Sequence, residues 1–221
     1  MINTIKTAQS IGLGHYRIEG LLLAAGEGKR FNGSKQLAMI NNKPMLACSA
    51  EMLASTDIDS MTIVLGSNAV AIQSMLSNAE LTQETRSKMS TIVAGNWQQG
   101  MGASIAAGIK KLDKNITHVF IGLADQVAIR QKQCNLMIMK SQENPKKIIA
   151  ALYSGKLGAP AIFPRTYFAE LEKLTNDKGA RDILRNNADQ VISVAVPNAA
   201  KDIDTKAELM SYISNKQQSE L

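Results

Sequence analysis

Residues 21–37 read L-L-L-A-A-G-E-G-K-R-F-N-G-S-K-Q-L, and this stretch decides how the chain is interpreted. Its three leucines predict the end of a strand buried in a parallel sheet. The small residues 24–28 then allow the backbone to turn sharply and to approach a ligand closely. Lys29, Arg30 and Lys35 bring positive charge to the same turn. A glycine-rich turn at the carboxyl end of a strand, flanked by cations, indicates a binding site for a nucleoside triphosphate.

Two better-known phosphate-binding motifs do not match this stretch. A P-loop requires G-x-x-x-x-G-K-[ST], and no suitably spaced glycine precedes a Lys-Ser or Lys-Thr pair. The dinucleotide fingerprint G-x-G-x-x-G begins correctly at Gly26 and Gly28, but Phe31 stands where the third glycine belongs. The structural alternative is a simple turn between strand and helix. That alternative gives no reason for Arg30 and Lys35 to lie beside the glycines.

The pattern L-A-A-G-E-G-x-R-F-x-x-x-K-Q-L resembles the signature loop of the MobA/MocA-like NTP transferases, which are related to molybdenum cofactor biosynthesis. It is most similar to the molybdenum cofactor cytidylyltransferases, because the sister guanylyltransferases show Leu-Ala-Gly-Gly where this chain has Ala25 before Gly26. The resemblance covers residues 20–209 and implies a Rossmann-like three-layer α/β/α nucleotidyltransferase fold with a mostly parallel central sheet. It further implies catalytic roles for Arg30 and Lys35. The nucleotide-binding residues that it implies in this loop are Leu23, Ala24, Ala25, Gly26, Gly28, Arg30 and Lys35.

The composition favours a small anionic substrate over a nucleic acid. The chain of 221 residues, 45% hydrophobic and 20% charged, is ordinary for a soluble globular protein with one sizeable core. Its net charge of +6 suggests an anionic partner, but aromatic residues make up only 4%, so we expect no nucleic acid partner. The two cysteines lack C-x-x-C spacing, and the two histidines lack partners at metal-ligand spacing. No apolar run reaches the roughly 20 residues of a membrane span, so we expect no membrane partner and a cytoplasmic location.

Strand-like and helix-like segments alternate along the chain, which predicts an α/β fold. We interpret residues 1–17 as an N-terminal extension and residues 18–221 as a single nucleotidyltransferase domain. Its first half, to about residue 127, is expected to hold the nucleotide, and its second half the acceptor. Residues 80–88 are polar and ambiguous, and residues 154–160 are rich in turn formers. The predicted strands are 18–24, 61–65, 90–94, 119–123, 148–153, 161–163 and 191–196, and the predicted helices are 44–54, 69–76, 101–112, 131–141, 167–174, 180–185 and 207–213.

Acidic residues predict a Mg²⁺ site facing the loop. Asp125 ends an apolar strand, where a carboxylate reaches the same sheet edge as the glycine-rich turn; a turn or helix-capping role is the alternative. Asp202 and Asp204 alternate along D-I-D-T, which places both on one side of an extended segment. The family pattern G-D-Q-P implies that Asp125 is a metal ligand and catalytic, although Ala124 and Val127 replace its first and last members. The family's D-I-D-T-type motif implies that Asp204, or alternatively Asp202, completes the Mg²⁺ coordination.

Three further blocks resemble family segments. The block N-W-Q-Q-G-M-G-A-S places two glycines ahead of a small-residue helix, whose first amides can face a ligand. By resemblance it lies near the base and the sugar, through Gly102 and Ser104, while we interpret Trp97 as a packing residue. The blocks G-A-P and K-G-A-R imply four acceptor-binding residues, namely Gly158, Pro160, Gly179 and Arg181. For Arg181, a salt bridge within a helix is the alternative role.

Together with the resemblance, these residues predict a Mg²⁺-dependent enzyme that transfers CMP from CTP to a molybdopterin-type molybdenum cofactor and releases pyrophosphate. The expected partners are CTP, or another NTP, and the molybdenum cofactor, with a molybdenum hydroxylase as a further candidate. Two alternatives stay open. One is a related transferase that uses another base or a sugar or polyol phosphate acceptor. The other is a non-catalytic chaperone that delivers the cofactor to a molybdenum hydroxylase.

Overall fold

The computed structural model describes residues 16–175, 177 and 179–219. None of the helices within these ranges has the length and apolar character needed to cross a membrane. The strands are β1 (Ile18–Ala24), β2 (Met39–Ile40), β3 (Lys43–Pro44), β4 (Ser60–Leu65), β5 (Met89–Val93), β6 (His118–Leu123), β7 (Ile148–Tyr153), β8 (Lys156–Pro164) and β9 (Val191–Ala195). The α-helices are α1 (Met45–Ala54), α2 (Ala69–Asn78), α3 (Gln83–Lys88), α4 (Met101–Ile109), α5 (Gln131–Glu143), α6 (Phe168–Leu171), α7 (Arg181–Asn186) and α8 (Lys206–Ser219).

Seven of these strands form one sheet in the order β5-β4-β1-β6-β8-β7-β9. All neighbouring pairs are parallel except the two that involve β8, which runs against both β6 and β7. The chain builds outward from β1 through β4 to β5, and then returns to place β6 on the other side of β1. In open α/β sheets, ligands bind beyond the carboxyl ends of strands where the order reverses in this way. The topology therefore puts the expected site beside the ends of β1 and β6.

Strand β1 is buried on both faces, because Ile18 and Leu22 pack into one hydrophobic cluster while Leu21 and Leu23 pack into another. The first cluster includes apolar side chains of α1, α2 and α5, and the second includes those of α4, α6 and α7. Helices thus cover both faces of the sheet. The predicted three-layer α/β/α architecture with a mostly parallel sheet is confirmed.

A third, smaller cluster attaches helix α8 to the rest of the chain. It contains Phe31, Ile40, Met45 and Ile203, with apolar side chains of α8 packed against it. The helix begins with a capping box: the Glu208 amide donates to Thr205 Oγ1 (3.2 Å), and Glu208 Oε2 accepts from the Thr205 amide (2.8 Å). The α8 helix therefore fixes the position of the segment just before it, which carries two of the predicted metal ligands.

Most of the predicted N-terminal extension, residues 1–15, lies outside the described residues. Its last two residues are packed onto the start of the sheet. The Tyr16 ring stacks on His118 with centroids 4.3 Å apart, and the Arg17 amide donates to Thr117 Oγ1 (2.9 Å).

Several predicted elements differ from the observed ones in extent. The turn region 154–160 is much shorter than expected, because Ser154 and Gly155 alone form the turn and β8 begins at Lys156. Both turn residues have positive φ (48° and 71°), as a two-residue β-hairpin requires. Helices predicted to reach residues 112 and 174 end at Ile109 and Leu171, since their last turns tighten to i→i+3 bonds. The ambiguous segment contains α3, and the Asn41-Asn42 turn between β2 and β3 was not predicted.

The turn between β7 and β8 can be tested at Gly155. Its φ is +71°, and a Cβ added there would meet no atom within 4 Å, so a Gly155→Ala change would strain only the backbone. We expect a loss of about 1 kcal/mol in the free energy of unfolding, measured with urea. Gly95→Ala is the control, since it also meets open space but without positive φ. Equal stability of the two variants would contradict the assigned turn.

Candidate active site

A cleft of about 650 Å³ lies at the carboxyl ends of β1 and β6. Ala24, at the end of β1, and Asp125, just beyond β6, both line it. Most of the predicted nucleotide-binding residues and two of the three predicted metal ligands line this one cavity. The predicted residues among its lining are Leu23, Ala24, Ala25, Gly26, Gly28, Lys35, Ser104, Asp125 and Asp204.

The glycine-rich loop is held in shape by its own backbone and by one buried amide side chain. Gly28 has a left-handed conformation (φ 67°), and a Cβ there would lie 2.9 Å from the Gly33 carbonyl oxygen, so only glycine fits. Gln36 Nε2 donates to the carbonyls of Ala24 (2.9 Å) and Gly26 (2.7 Å). Phe31, which replaces the third glycine of a dinucleotide motif, is buried in the third cluster. It anchors the loop there.

Lys35 joins the two carboxylates that approach the cleft. Its Nζ lies 2.5 Å from Asp125 Oδ2 and 3.0 Å from Asp204 Oδ1. Arg30 Nη2 lies 2.5 Å from the other oxygen of Asp204. Of the three predicted catalytic residues, Lys35 and Asp125 are thus in direct contact. Arg30 joins them only through Asp204, and its exposed side chain does not line the cleft.

The charge of Lys35 is maintained by its partners. Burial alone would lower the pKa of this ammonium, but the carboxylates of Asp125 and Asp204 outweigh burial and raise the pKa above its usual value. Burial raises the pKa of the Asp202 carboxyl, and the nearby charge of Asp125 adds to that effect. Asp125, Asp202 and Asp204 are therefore close enough to influence one another, and the Lys35 ammonium contacts two of them.

The fit of Mg²⁺ to this region depends on free carboxylate oxygens. Asp125 Oδ1 is buried and has no hydrogen-bond partner among the described residues, whereas Oδ2 contacts Lys35. Within the same part of the chain, no three His, Cys, Asp or Glu side chains are arranged to hold a metal ion. Mg²⁺ usually takes one or two protein carboxylates and completes its octahedron with water and substrate phosphates. Asp125 fits that limited role through Oδ1, whereas Asp204 could join it only by sharing oxygens that already contact Lys35 and Arg30.

A smaller cavity of about 50 Å³ continues from the cleft on the side of the predicted acceptor residues. The two cavities share Leu23, Met101 and Leu123 in their walls. Of the predicted acceptor residues, Gly158 and Arg181 line it, together with Asp202. Asp202 thus lies on the acceptor side and does not share the Lys35 contact of Asp204.

The other two predicted acceptor residues do not line the small cavity. Pro160 is buried within β8 and follows a cis peptide bond. Gly179 is buried against Met101, whose Sδ would lie 2.9 Å from an added Cβ. Both contribute to the walls only through their neighbours.

The start of α4 forms another wall of the cleft. Gly100 adopts φ 113° and ψ −176°, a conformation that is almost restricted to glycine, and α4 begins at the next residue. Ser104 lines the cleft, whereas Gly102 is buried in the first turn and is not part of the lining. Trp97, which we interpreted from the sequence as a packing residue only, also lines the cleft.

Other site residues that the sequence analysis did not single out are buried polar side chains. Gln36 holds the loop, as described above. Ser49 Oγ donates to the Ala124 carbonyl (2.7 Å), and Gln126 Nε2 donates to the Ala199 carbonyl (2.9 Å). The signal for both glutamines in the sequence is that each stands in a quoted family pattern directly after a predicted site residue, Gln36 in K-Q-L and Gln126 in G-D-Q-P.

This arrangement defines a class of protein: an α/β protein with a cation-rich glycine loop and acidic residues at the switch point of its sheet. Residues 20–191 match the family model for the MobA-like NTP transferase domain. The chain belongs to this family, as the resemblance implied.

Similarity to individual proteins and to solved structures extends over nearly the whole chain. Nicotine blue oxidoreductase of Paenarthrobacter nicotinovorans is 26% identical over 204 residues, which are 87% of this chain and 94% of that protein. The crystal structure of Rv0371c from Mycobacterium tuberculosis superposes with a TM-score of 0.76 at 23% identity, covering 91% of this chain and 100% of that one. Molybdopterin-guanine dinucleotide biosynthesis protein A from Archaeoglobus fulgidus gives 0.66 at 14% identity, covering 90% and 99%. At these identities the two structures show the shared fold alone.

The contact between Trp97 and the loop can be tested at Gly66. A Cβ there would lie 2.6 Å from the Ala25 carbonyl oxygen and 2.6 Å from Trp97 Cγ, so either the loop or the indole must move. We expect Gly66→Ala to lower the free energy of unfolding by about 1–3 kcal/mol. It should also shift the emission of Trp97, the only tryptophan in the chain. Gly95→Ala, which meets open space, should change neither; an unshifted Gly66→Ala spectrum would contradict this packing.

Proposed function

We propose that this protein is a Mg²⁺-dependent cytidylyltransferase that transfers CMP from CTP to a molybdopterin-type molybdenum cofactor. The observation that carries the proposal is the convergence of Lys35, Asp125 and Asp204 beside the glycine-rich loop. Membership of the MobA-like NTP transferase family supports the reaction type. The Leu-Ala-Ala-Gly form of the loop favours CTP, and the fold shared with a molybdopterin-guanine dinucleotide biosynthesis protein is compatible with the acceptor.

The reaction replaces one phosphoanhydride bond with another. A phosphate oxygen of the acceptor forms a bond to the α-phosphorus of CTP, while the bond from that phosphorus to the pyrophosphate oxygen breaks. The protein must hold the two groups in line and neutralise the charge on the departing pyrophosphate. Backbone amides of residues 25–28 are suited to the triphosphate, and Arg30 and Lys35 supply positive charge next to it.

Asp125 and Asp204 are the residues that would hold Mg²⁺, with Asp202 as the alternative to Asp204. A bound Mg²⁺ would neutralise charge on the triphosphate as pyrophosphate departs. The Rv0371c protein has also been solved in complex with manganese, which supports a divalent cation in proteins of this fold.

At about 50 Å³, the small cavity beside the cleft could hold only a small part of the acceptor, such as its phosphate group. It shares Leu23 and Leu123 with the nucleotide cleft, so groups bound in the two cavities would meet at the ends of β1 and β6. Arg181 lines this cavity and can pair with a phosphate. Tyr153 also lines it, and its hydroxyl lies where a Cβ on Gly158 would approach within 2.5 Å, so glycine keeps this wall open.

The proposal is tested by measuring pyrophosphate release from purified protein with Mg²⁺, the molybdenum cofactor and each of CTP, GTP and ATP. We expect release with CTP and cofactor together, and little with CTP alone. Turnover with a different base or with a sugar or polyol phosphate would support the related transferase instead. Binding without any turnover would support the chaperone alternative. Because one relative is named nicotine blue oxidoreductase, redox turnover of nicotine blue should be assayed in parallel.

The role of Asp125 gives a sharper test. We expect Asp125→Asn to reduce turnover roughly 100-fold or more, because the lost charge acts on the transition state. Glu143→Gln is the matched control: it also neutralises one carboxylate, but in an exposed ion pair with Lys140 on α5, outside the cleft. Thermal unfolding should show that both variants fold. Equal turnover of the two variants would remove Asp125 from the mechanism.

A further inference from the structure

The ammonium group of Lys35 lies where the two expected metal ligands come closest. It contacts Asp125 Oδ2 at 2.5 Å and Asp204 Oδ1 at 3.0 Å. The Lys35 side chain is only 14% exposed and that of Asp125 only 18%, so water screens these charges weakly. The protein thus supplies its own counter-ion at this position.

A divalent cation entering alone would compete with this counter-ion. Each aspartate already gives one oxygen to Lys35, and the second oxygen of Asp204 is taken by Arg30. Asp125 Oδ1 is the oxygen of this pair that lacks a hydrogen-bond partner among the described residues. An ion bound there would lie within a few ångströms of a positive charge in a half-buried site, where repulsion between like charges is strong.

The Lys35 side chain can leave the carboxylates without movement of the backbone. It begins a short 3₁₀ turn (Lys35–Leu37), and the next residue, Gln36, is buried and bonded to the carbonyls of Ala24 and Gly26. The backbone at Lys35 is therefore fixed beside the glycine-rich loop. Its flexible four-carbon stem can turn the ammonium from the aspartates to a phosphate held by that loop.

We propose that Lys35 occupies the cation position between Asp125 and Asp204 until a nucleoside triphosphate draws it away. The protein then takes up its divalent cation together with the nucleotide and not before it. This binding order rests on the proposed function, which supplies the nucleoside triphosphate as the ligand. It makes Lys35 both a phosphate contact and a barrier to metal binding in the free protein.

The test measures Mn²⁺ binding in the absence of nucleotide, by the electron paramagnetic resonance signal of free Mn²⁺. We expect weak binding to the wild-type protein and an affinity about tenfold or more higher for Lys35→Met, which keeps the stem but removes the charge. Lys29→Met is the matched control, because it removes one charge from the same loop at a side chain that is 84% exposed and pairs with Glu27. It should bind Mn²⁺ nearly as the wild type does.

A second substitution locates the added binding. Combining Lys35→Met with Asp125→Asn should abolish the gain, because Asp125 would no longer offer a charged ligand. Lys35→Gln provides a second neutral variant, and thermal unfolding identifies which variants fold. The proposal is overturned if the folded neutral variants bind Mn²⁺ no more tightly than Lys29→Met, or if the gain survives loss of the Asp125 charge.

These measurements can be separated from the test of the proposed function. No nucleotide or acceptor is present, so a failure to transfer CMP would leave a Lys35-dependent gain in Mn²⁺ affinity intact. Conversely, the binding order alone would be overturned if the wild-type protein transfers CMP but Lys35→Met binds Mn²⁺ no more tightly than the wild type.

Discussion

The ion bridge of Lys35 with Asp125 and Asp204 is the contact on which the geometry of the candidate site depends. The three residues come from the loop after β1, the end of β6 and the segment before α8, which are far apart in sequence. Two carboxylates this close would repel each other without a cation between them. The same bridge therefore closes the site and connects α8 to the parallel half of the sheet. A nucleotide that takes the ammonium must replace its charge with another cation.

The sheet topology explains why these segments can meet. Because β6 returns to the side of β1 opposite β4, the loop after β1 and the turn after β6 leave the sheet side by side. The loop is then fixed from two directions. Gln36 donates to two of its carbonyls, while Phe31 is buried with Ile203, the residue between the two aspartates of D-I-D-T. Packing of α8 and the shape of the loop are thus parts of one structure.

The sequence predicted elements whose signal is local and missed those set by distant contacts. The bounds of β1 were predicted correctly, because an uninterrupted apolar run ending in small residues is typical of a strand buried on both faces. The start of β8 was missed because glycine and proline obscured a strand that antiparallel pairing with β6 and β7 stabilises. Trp97 was not assigned to the cleft, since only the absence of a side chain at Gly66 lets the indole lie against the loop. The double contact of Lys35 depends on where α8 packs, which no local pattern reveals.

The departure from the family pattern at Val127 is compensated by hydrogen bonds that hold the same turn from outside it. The family has proline where this chain has Val127, and the loss of proline would leave the turn free to move. Here the Val127 carbonyl accepts a hydrogen bond from the Tyr212 hydroxyl (3.1 Å), and the Ile203 amide donates to the Asp125 carbonyl (3.2 Å). Gln126 adds its bond to Ala199. Bonds to α8 and to the segment before it thus replace the rigidity of a proline ring, so the position of the Asp125 carboxylate depends on α8 being in place.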